Sequence, residues 1–196
     1  MMSKSDDMMI EASHGNWDSV FGYLQYGLNI NYQDDDGNSL LLYAAMQGRW
    51  DIAEQLLNKG HDPNLKRYDN ATPLVYAKTA ESVKLLARYN ASPYIKVKGH
   101  LPVMYIMGND YEEAFQAYLD VWGHPYNSPS KKIAKTLLKR WQFDMFELYT
   151  GQTVTADEIA KVKDDDTRTY NPGRWNRSLE AVLKRCEFRS PVNSIH

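Results

Sequence analysis

Three consecutive aspartates, Asp34, Asp35 and Asp36, come closest in type and spacing to a chemical site. Carboxylates are preferred ligands of Ca²⁺ and Mg²⁺, so such a run could coordinate a divalent cation. A calcium-binding EF-hand loop, however, alternates its acidic residues, contains a glycine and ends on a distal glutamate, and this run does not follow that pattern. We therefore predict a solvated acidic tip without a metal ion, and we interpret the aspartates at residues 164–166 in the same way.

The rest of the chain holds no combination of nucleophile, base and metal ligands that predicts catalysis. The five histidines are scattered singly, and the sequence contains no Gly-rich phosphate loop, His-Glu-x-x-His pair or Gly-x-Ser-x-Gly motif. Cys186 is the single cysteine, which excludes an intrachain disulfide. We expect no catalytic residue, no metal and no cofactor. An enzyme hypothesis remains for the predicted loop at residues 163–174 and the tryptophan that follows it, where four side chains could bind an anion or a nucleotide: Arg168, Tyr170, Arg174 and Trp175.

The elements that must position any site recur at a fixed interval in the first half of the chain. Gly15-Asn16-Trp17-Asp18 returns 33 positions later as Gly48-Arg49-Trp50-Asp51. A fixed period of this length is typical of stacked repeat proteins. We expect Trp17 and Trp50, which share one repeat position, to pack within or between repeats. Within the period, apolar residues at helical spacing predict an amphipathic second helix: Ile52, Ala53, Leu56 and Leu57.

Residues 37–64 closely resemble an ankyrin repeat. The family pattern opens with Gly-x-Thr-Pro-Leu-His-x-Ala-Ala and closes with Gly-Ala-Asp-x-Asn; here Ser39 and Leu40 replace Thr-Pro, and residues 61–64 replace the closing turn. The resemblance implies an all-α, ankyrin-like solenoid of stacked helix-turn-helix repeats with a divergent helical C-terminal cap. In this register a first domain, 1–129, holds a partial N-terminal cap and three repeats, with the middle of the second shortened by three or four residues. The four segments are 6–33, 34–66, 67–95 and 96–129.

Residues 130–196 are predicted to form a degenerate repeat followed by a helical cap. A basic amphipathic helix starting near residue 130 would bury Ala134 and Leu137 among other apolar side chains. Thr155 and Glu158 have the spacing of a capping box, which predicts a helix running to about Val162. A last helix, roughly over residues 177–187, would help to cover the end of the stack, because an exposed terminal repeat leaves apolar surface in water.

The resemblance also implies which side chains meet a partner. Tyr43, Tyr76 and Tyr105 occupy the same slot of their repeats, and in ankyrin-like stacks that slot tends to face the concave groove. Tyrosine is enriched at binding hot spots because it combines large area with a hydrogen-bonding tip, although packing within the stack is the alternative role. The extended turns between repeats, called fingers below, differ in charge. The first finger carries Asp34, Asp35 and Asp36, the second Lys66 and Arg67, and the third Lys96 and Lys98.

Charge is distributed unevenly along the chain. Residues 1–130 carry 10 Lys and Arg against 16 Asp and Glu, whereas residues 131–196 carry 13 against 9. The two parts either present different surfaces or neutralise each other. The basic part supports an alternative function, contact with nucleic acid, but acidic residues interrupt it, so nucleic acid is not the expected partner. The residues of that alternative are Lys131, Lys132, Lys135, Lys139 and Arg140.

These features together predict a non-enzymatic protein–protein interaction module. It would act as an adaptor, or as an inhibitor that masks a partner protein, through the concave groove and the fingers. A viral or bacterial protein directed at a host factor is one origin compatible with this form. No stretch of about 18 apolar residues is present, so no membrane contact is expected, and the lone cysteine fits a cytoplasmic setting.

Overall fold

The computed structural model describes residues 3–106 and 111–123, and beyond them residues 134–135, 137, 146, 150–151, 154–167, 180 and 182–184. The chain divides into two compact units, Met1–Val121 and Trp122–His196. The described residues are helical, with isolated antiparallel bridges but no named strand. The all-α prediction is therefore confirmed. The helices are α1 (Lys4–Ser13), α2 (Trp17–Gln25), α3 (Leu40–Met46), α4 (Trp50–Asn58), a 3-10 helix (Pro73–Tyr76), α5 (Ala80–Arg88), α6 (Val103–Ile106), α7 (Glu112–Trp122) and α8 (Ala156–Thr167).

The sequence period corresponds to repeated helix pairs. Gly15 and Gly48 end the first helices of two successive pairs, with φ of +80° and +71°. Residues with a side chain rarely adopt this left-handed conformation, which is why the glycine recurs at both positions. Trp17 and Trp50 then begin α2 and α4. Trp17 is buried, and its indole Nε1 donates to Gln47 Oε1 at 3.1 Å, whereas Trp50 is only partly buried.

The core of the first unit lies along the first helices of the pairs. α1 contacts α3, α3 contacts the 3-10 helix, and the 3-10 helix contacts α6. Ala44 and Ala77, which lie one period apart, are both fully buried. Their small side chains allow neighbouring helices to approach closely. Leu41 and Leu74, also one period apart, fill equivalent buried positions.

The third pair has a shorter first helix, as the missing residues predict. Its first helix is a single 3-10 segment, Pro73–Tyr76. Thr79 then caps α5 by a reciprocal pair of contacts with Ser82. The capped helix spans Ala80–Arg88. Only two residues separate the 3-10 helix from the Thr79 cap, so the chain has no room to complete another helical turn.

In the second unit, the helix predicted after Thr155 is present and longer than expected. The Thr155 hydroxyl and the Glu158 carboxylate make the reciprocal contacts of a capping box. α8 continues to Thr167, so the prediction that residues 163–167 belong to a loop was wrong. No glycine or proline follows until Pro172, and nothing in the local sequence therefore stops the helix at Val162. Ala134, Leu137, Val182 and Leu183 are buried, as their predicted apolar faces require.

Candidate functional site

The first finger, residues 33–39, is a tight turn organised by Asp34. An antiparallel bridge joins Gln33 to Ser39. Asp34 Oδ1 accepts hydrogen bonds from the backbone N–H groups of Asn38 at 2.8 Å and Asp36 at 3.0 Å. Asp34 is half-buried, while Asp35 and Asp36 are exposed. The prediction of a solvated acidic tip is therefore wrong for Asp34, because the turn uses its carboxylate to satisfy backbone donors.

The first finger packs directly against the second, residues 66–72. Gln33 Nε2 donates to the Lys66 carbonyl at 3.0 Å, and the Tyr68 hydroxyl donates to the Asp35 carbonyl at 2.8 Å and to Asp36 Oδ1 at 2.9 Å. Gly37 has φ of +76°, and a Cβ there would lie 3.2 Å from the Arg67 Cα. Sequence reasoning missed Tyr68, which is 69% exposed. The residue one period earlier is Asp35, so the repeat gave no signal for a tyrosine at this position.

The three predicted tyrosines, hereafter the tyrosine row, each reach toward their own finger. The Tyr43 hydroxyl donates to Asp34 Oδ2 at 2.7 Å, and the Tyr105 hydroxyl donates to the Val97 carbonyl at 2.9 Å. Tyr76 lies close enough to Arg67 to influence the pKa of its guanidinium. Tyr43 and Tyr76 are half-buried, and Tyr105 is 36% exposed. Each tyrosine of the row therefore contacts and supports its own finger, and part of each ring stays accessible to solvent.

Charge differs sharply between the fingers. In the second finger, the Arg67 guanidinium donates two hydrogen bonds to Asp69, at 2.8 and 3.0 Å, and this pairing lowers the Asp69 pKa to about 2. In the first finger, burial and then the Asp34 hydrogen bond raise the Tyr43 pKa to about 12. In the third finger, residues 96–100, Lys96 and Lys98 are exposed. The first finger is thus acidic, Arg67 and Asp69 of the second finger neutralise each other, and the third finger is basic.

A groove of about 350 Å³ lies between α1 and the first finger. Met9, Ile10 and Ser13 line it from the helix. Asp6 and the three finger aspartates also line it, together with Tyr43. In the described part of the chain, no group of three or more His, Cys, Asp or Glu side chains is arranged to hold a metal ion. The groove therefore combines apolar and anionic walls.

The histidine at the closing turn of the second pair has a structural environment. His61 is 3% exposed, its Nε2 accepts from the Leu41 N–H at 3.4 Å, and its Nδ1 lies 2.9 Å from the Asp62 carbonyl. These contacts fit a neutral ring that carries its proton on Nδ1. Burial lowers the His61 pKa to about 4. His61 helps to cap α3 and does not face the groove.

Most residues of the two alternative hypotheses fall outside the described residues. This applies to Lys131, Lys132, Lys139 and Arg140 of the nucleic-acid hypothesis, and to Arg168, Tyr170, Arg174 and Trp175 of the enzyme hypothesis. Lys135 is described, and its ammonium pairs with the Glu180 carboxylate. A lysine held by a carboxylate is less available to a phosphate. Among the described helices, none is long and apolar enough to cross a membrane.

Comparison with known proteins identifies the repeats. The family model of three ankyrin repeats matches residues 8–98. A 2-5A-dependent ribonuclease of Homo sapiens is 44% identical over 69 residues, which are 35% of this chain and 9% of that protein. An ankyrin repeat-containing protein of Schizosaccharomyces pombe is 30% identical over 97 residues, 49% of this chain and 47% of that protein. A putative ankyrin repeat protein of Acanthamoeba polyphaga mimivirus is 33% identical over 91 residues, 46% of this chain and 11% of that protein.

The matched region begins within α1, contains the rest of the first three helix pairs and reaches the third finger. The chain spans less than half the length of each of these three relatives. Ankyrin repeats are generally non-enzymatic modules that mediate protein–protein interactions. The sequence period, the stacked helix pairs and the family match agree. Residues 8–98 of this chain are therefore three ankyrin repeats.

Proposed function

We propose that this chain binds a partner protein through its fingers and the adjoining groove, and that binding itself is its activity. It then works as an adaptor or as an inhibitor that masks the partner's surface. The observation that carries this proposal is the graded charge of three successive fingers, each in contact with one member of the tyrosine row. Graded charge favours specificity and fast association more than raw affinity.

Exposure supports the finger side as the contact surface. Tyr68 between the first two fingers and Tyr94 before the third are 69% and 59% exposed. Exposed aromatic rings next to charged groups are frequent anchors at interfaces. Lys96 and Lys98 are also exposed on the third finger. A partner that spans the fingers would present basic groups to the first and acidic groups to the third.

The setting of this activity follows from the proposal. We place it in the cytoplasm, since a lone cysteine suits a reducing compartment. Ankyrin repeat proteins of a mimivirus and of Fowlpox virus are among the relatives. These two matches support the viral form of the proposal, a viral protein that acts on a host factor.

Affinity capture with variants of single surfaces tests the proposal. The tagged protein and the variant K96E/K98E are compared by quantitative mass spectrometry of the proteins they retain. The matched control is E54Q/R88Q, which alters an exposed ion pair on the second helices α4 and α5 and leaves the fingers intact. We expect a partner that is retained by wild type and by the control and lost by the finger variant. Equal retention by all three proteins would refute the finger surface.

The tyrosine row requires a second variant set. Tyr43, Tyr76 and Tyr105 contact their own fingers, so a triple alanine variant would also disturb the turns. Tyr76→Phe and Tyr105→Phe keep the rings and remove only the hydroxyl groups. Under this proposal the phenylalanine variants retain the partner, while alanine at the same positions loses it. Partner retention by the folded alanine variants would remove the row from the binding surface.

A further inference from the structure

The groove between α1 and the first finger suits one particular kind of side chain. We infer that it binds a lysine or arginine side chain of the partner, an inference that rests on the proposed protein-binding function. The groove is about 350 Å³ and is lined by Met9 and Ile10 as well as by carboxylates. Ile10 is 39% exposed.

The combination of apolar and anionic walls favours a lysine or arginine side chain as the ligand. Lysine and arginine carry a cationic head on an apolar stem, and they lay the stem along apolar surface while the head meets polar groups. Ile10, which is exposed beside the buried Met9, suits the stem, and Asp35 and Asp36 suit the head. A bare metal ion would make no use of the apolar wall, and the described carboxylates are not arranged to hold one.

Among the residues that the structure describes, no lysine or arginine lines the groove. Other aspartates of the same unit do have internal cations: Arg49 pairs with Asp51 at 2.7 Å, and Arg67 pairs with Asp69 at 2.8 Å. Within the described residues, no hydrogen-bond donor contacts the Asp35 carboxylate. Among the described residues, therefore, no cation pairs with the aspartates of the groove, and the Asp35 carboxylate is open to a ligand.

The second finger has a cation, Arg67, at the position that Asp34 occupies in the first finger. One period after Asp34, Asp36 and Tyr43 stand Arg67, Asp69 and Tyr76. There the Arg67 guanidinium is held by Asp69 and lies near Tyr76. The first finger keeps the aspartate and the tyrosine but has Asp34 in place of the arginine. A guanidinium or ammonium from the partner would supply the missing charge.

A small probe tests the inference without any partner protein. Backbone amide NMR shifts of the full chain are followed during titration with N-acetyl-arginine amide, and the neutral isostere N-acetyl-citrulline amide is the matched control ligand. We expect saturable shifts confined to residues 6–13 and 34–37, with a Kd on the order of 1 mM for a single side chain. Citrulline amide should produce no saturable shift.

Charge removal at the finger completes the test. D35N/D36N should weaken arginine binding at least about fivefold, since it removes two charge-assisted contacts. Asp36→Asn retains an acceptor for Tyr68, and circular dichroism melting verifies the fold. D35N alone, which removes no hydrogen bond within the described residues, serves as the gentler variant and should weaken binding about twofold. D51N removes an equal charge outside the groove and should leave the Kd unchanged.

Three outcomes would overturn the inference: no shift in the groove up to about 10 mM probe, equal shifts with citrulline amide, or an unchanged Kd in the folded D35N/D36N variant. The proposed function fails separately. If capture finds no partner while arginine amide still binds the groove, protein binding is refuted and the cation site stands. If a finger-dependent partner is found and the probe does not bind, only the cation site is refuted.

Discussion

The first and second fingers share a backbone plan and differ in their electrostatics. In both, the backbone N–H of the first turn residue donates to a carbonyl four residues later, from Asp34 to Asn38 and from Arg67 to Ala71. In both, a tyrosine nine residues further on lies against that first residue. The residue itself is an aspartate in one finger and an arginine in the other. Substitutions at fixed places in the repeat, Asp34 against Arg67 and Asp35 against Tyr68, therefore change the charge of the finger.

The difference shows that a repeat can keep the residues that stabilise the fold while the residues that meet a partner vary. The buried positions Leu41 and Leu74 are identical and the tyrosine is retained. Since stability comes from the shared positions, the finger is free to vary. The first finger uses its charge to organise its own turn and leaves Asp35 and Asp36 to solvent. The second uses its charge in an internal ion pair.

The largest effect is expected where the two repeats are the same. Leu41→Ala and Leu74→Ala should each lower the free energy of unfolding by about 2–5 kcal/mol, because both remove a fully buried side chain and leave a cavity. Urea unfolding followed by circular dichroism measures both values. A loss below about 1 kcal/mol at only one site would show that the scaffolds of the two repeats are not equivalent.

A pH effect should distinguish the closing turns that follow the two fingers. His61 occupies the first of these turns and Ala91 the second. The His61 pKa is about 4 in the fold against an ordinary value of 6.5, so the unfolded chain binds the proton more readily between these values. Stability is complete above pH 6.5 and falls as the pH drops toward 4, by at most about 3 kcal/mol.

The control for this pH effect is H61A, which copies the residue of the later turn. Its stability should change less over the same interval, whatever its absolute value at neutral pH. Urea unfolding at several pH values between 4 and 7 gives both slopes. Parallel slopes would show that His61 is not the group responsible.

A smaller difference in stability is expected between variants of Asp34 and of Arg67, the residues that begin the two turns. Asp34→Ala removes the acceptor of two backbone N–H groups and of the Tyr43 hydroxyl, and should cost about 1–3 kcal/mol. Arg67→Met removes a partly exposed ion pair and should cost about 0–1 kcal/mol. Thermal unfolding of the two variants measures the contrast. Equal losses would mean that both fingers depend on their charges to the same degree.

The smallest effects should come from the tyrosine hydroxyls. Tyr43→Phe leaves the half-buried ring and removes one hydrogen bond to a carboxylate, at a cost of about 1 kcal/mol. Tyr105→Phe loses a hydrogen bond to a neutral carbonyl and should cost about 0.5 kcal/mol. Spectrophotometric titration provides an independent check, because loss of Tyr43 should remove a phenol with a pKa of about 12. An unchanged alkaline titration would place that phenol elsewhere.

Much of the scaffold was predictable because local chemistry sets it. The left-handed turns at Gly15 and Gly48 favour a residue without Cβ, and the Thr155–Glu158 spacing brings two capping partners together within one helical turn. The end of α8 was not predictable in this way. A helix continues until something stops it, and the aspartates at 164–166 are too weak a signal to do so.

The candidate site was predictable only in part. The shared slot of Tyr43, Tyr76 and Tyr105 follows from the register, but their contacts with the fingers do not. Tyr68 bridges two fingers from a position where the preceding repeat has an aspartate. Such contacts join residues from different repeats, so they cannot be predicted from a short stretch of the sequence.

The sequence by itself determined the period, the helix pairs and the change of charge from the first finger to the third, since each depends on residues close together in the chain. Only the tertiary structure decided what those residues do. It turned Asp34 from a solvated tip into the acceptor that holds a turn, and it set α1 beside the first finger to form a groove. The physical reason is distance along the chain: Asp6 and Asp36 belong to different repeats, and only the packing of one repeat on the next brings their charges to the same groove.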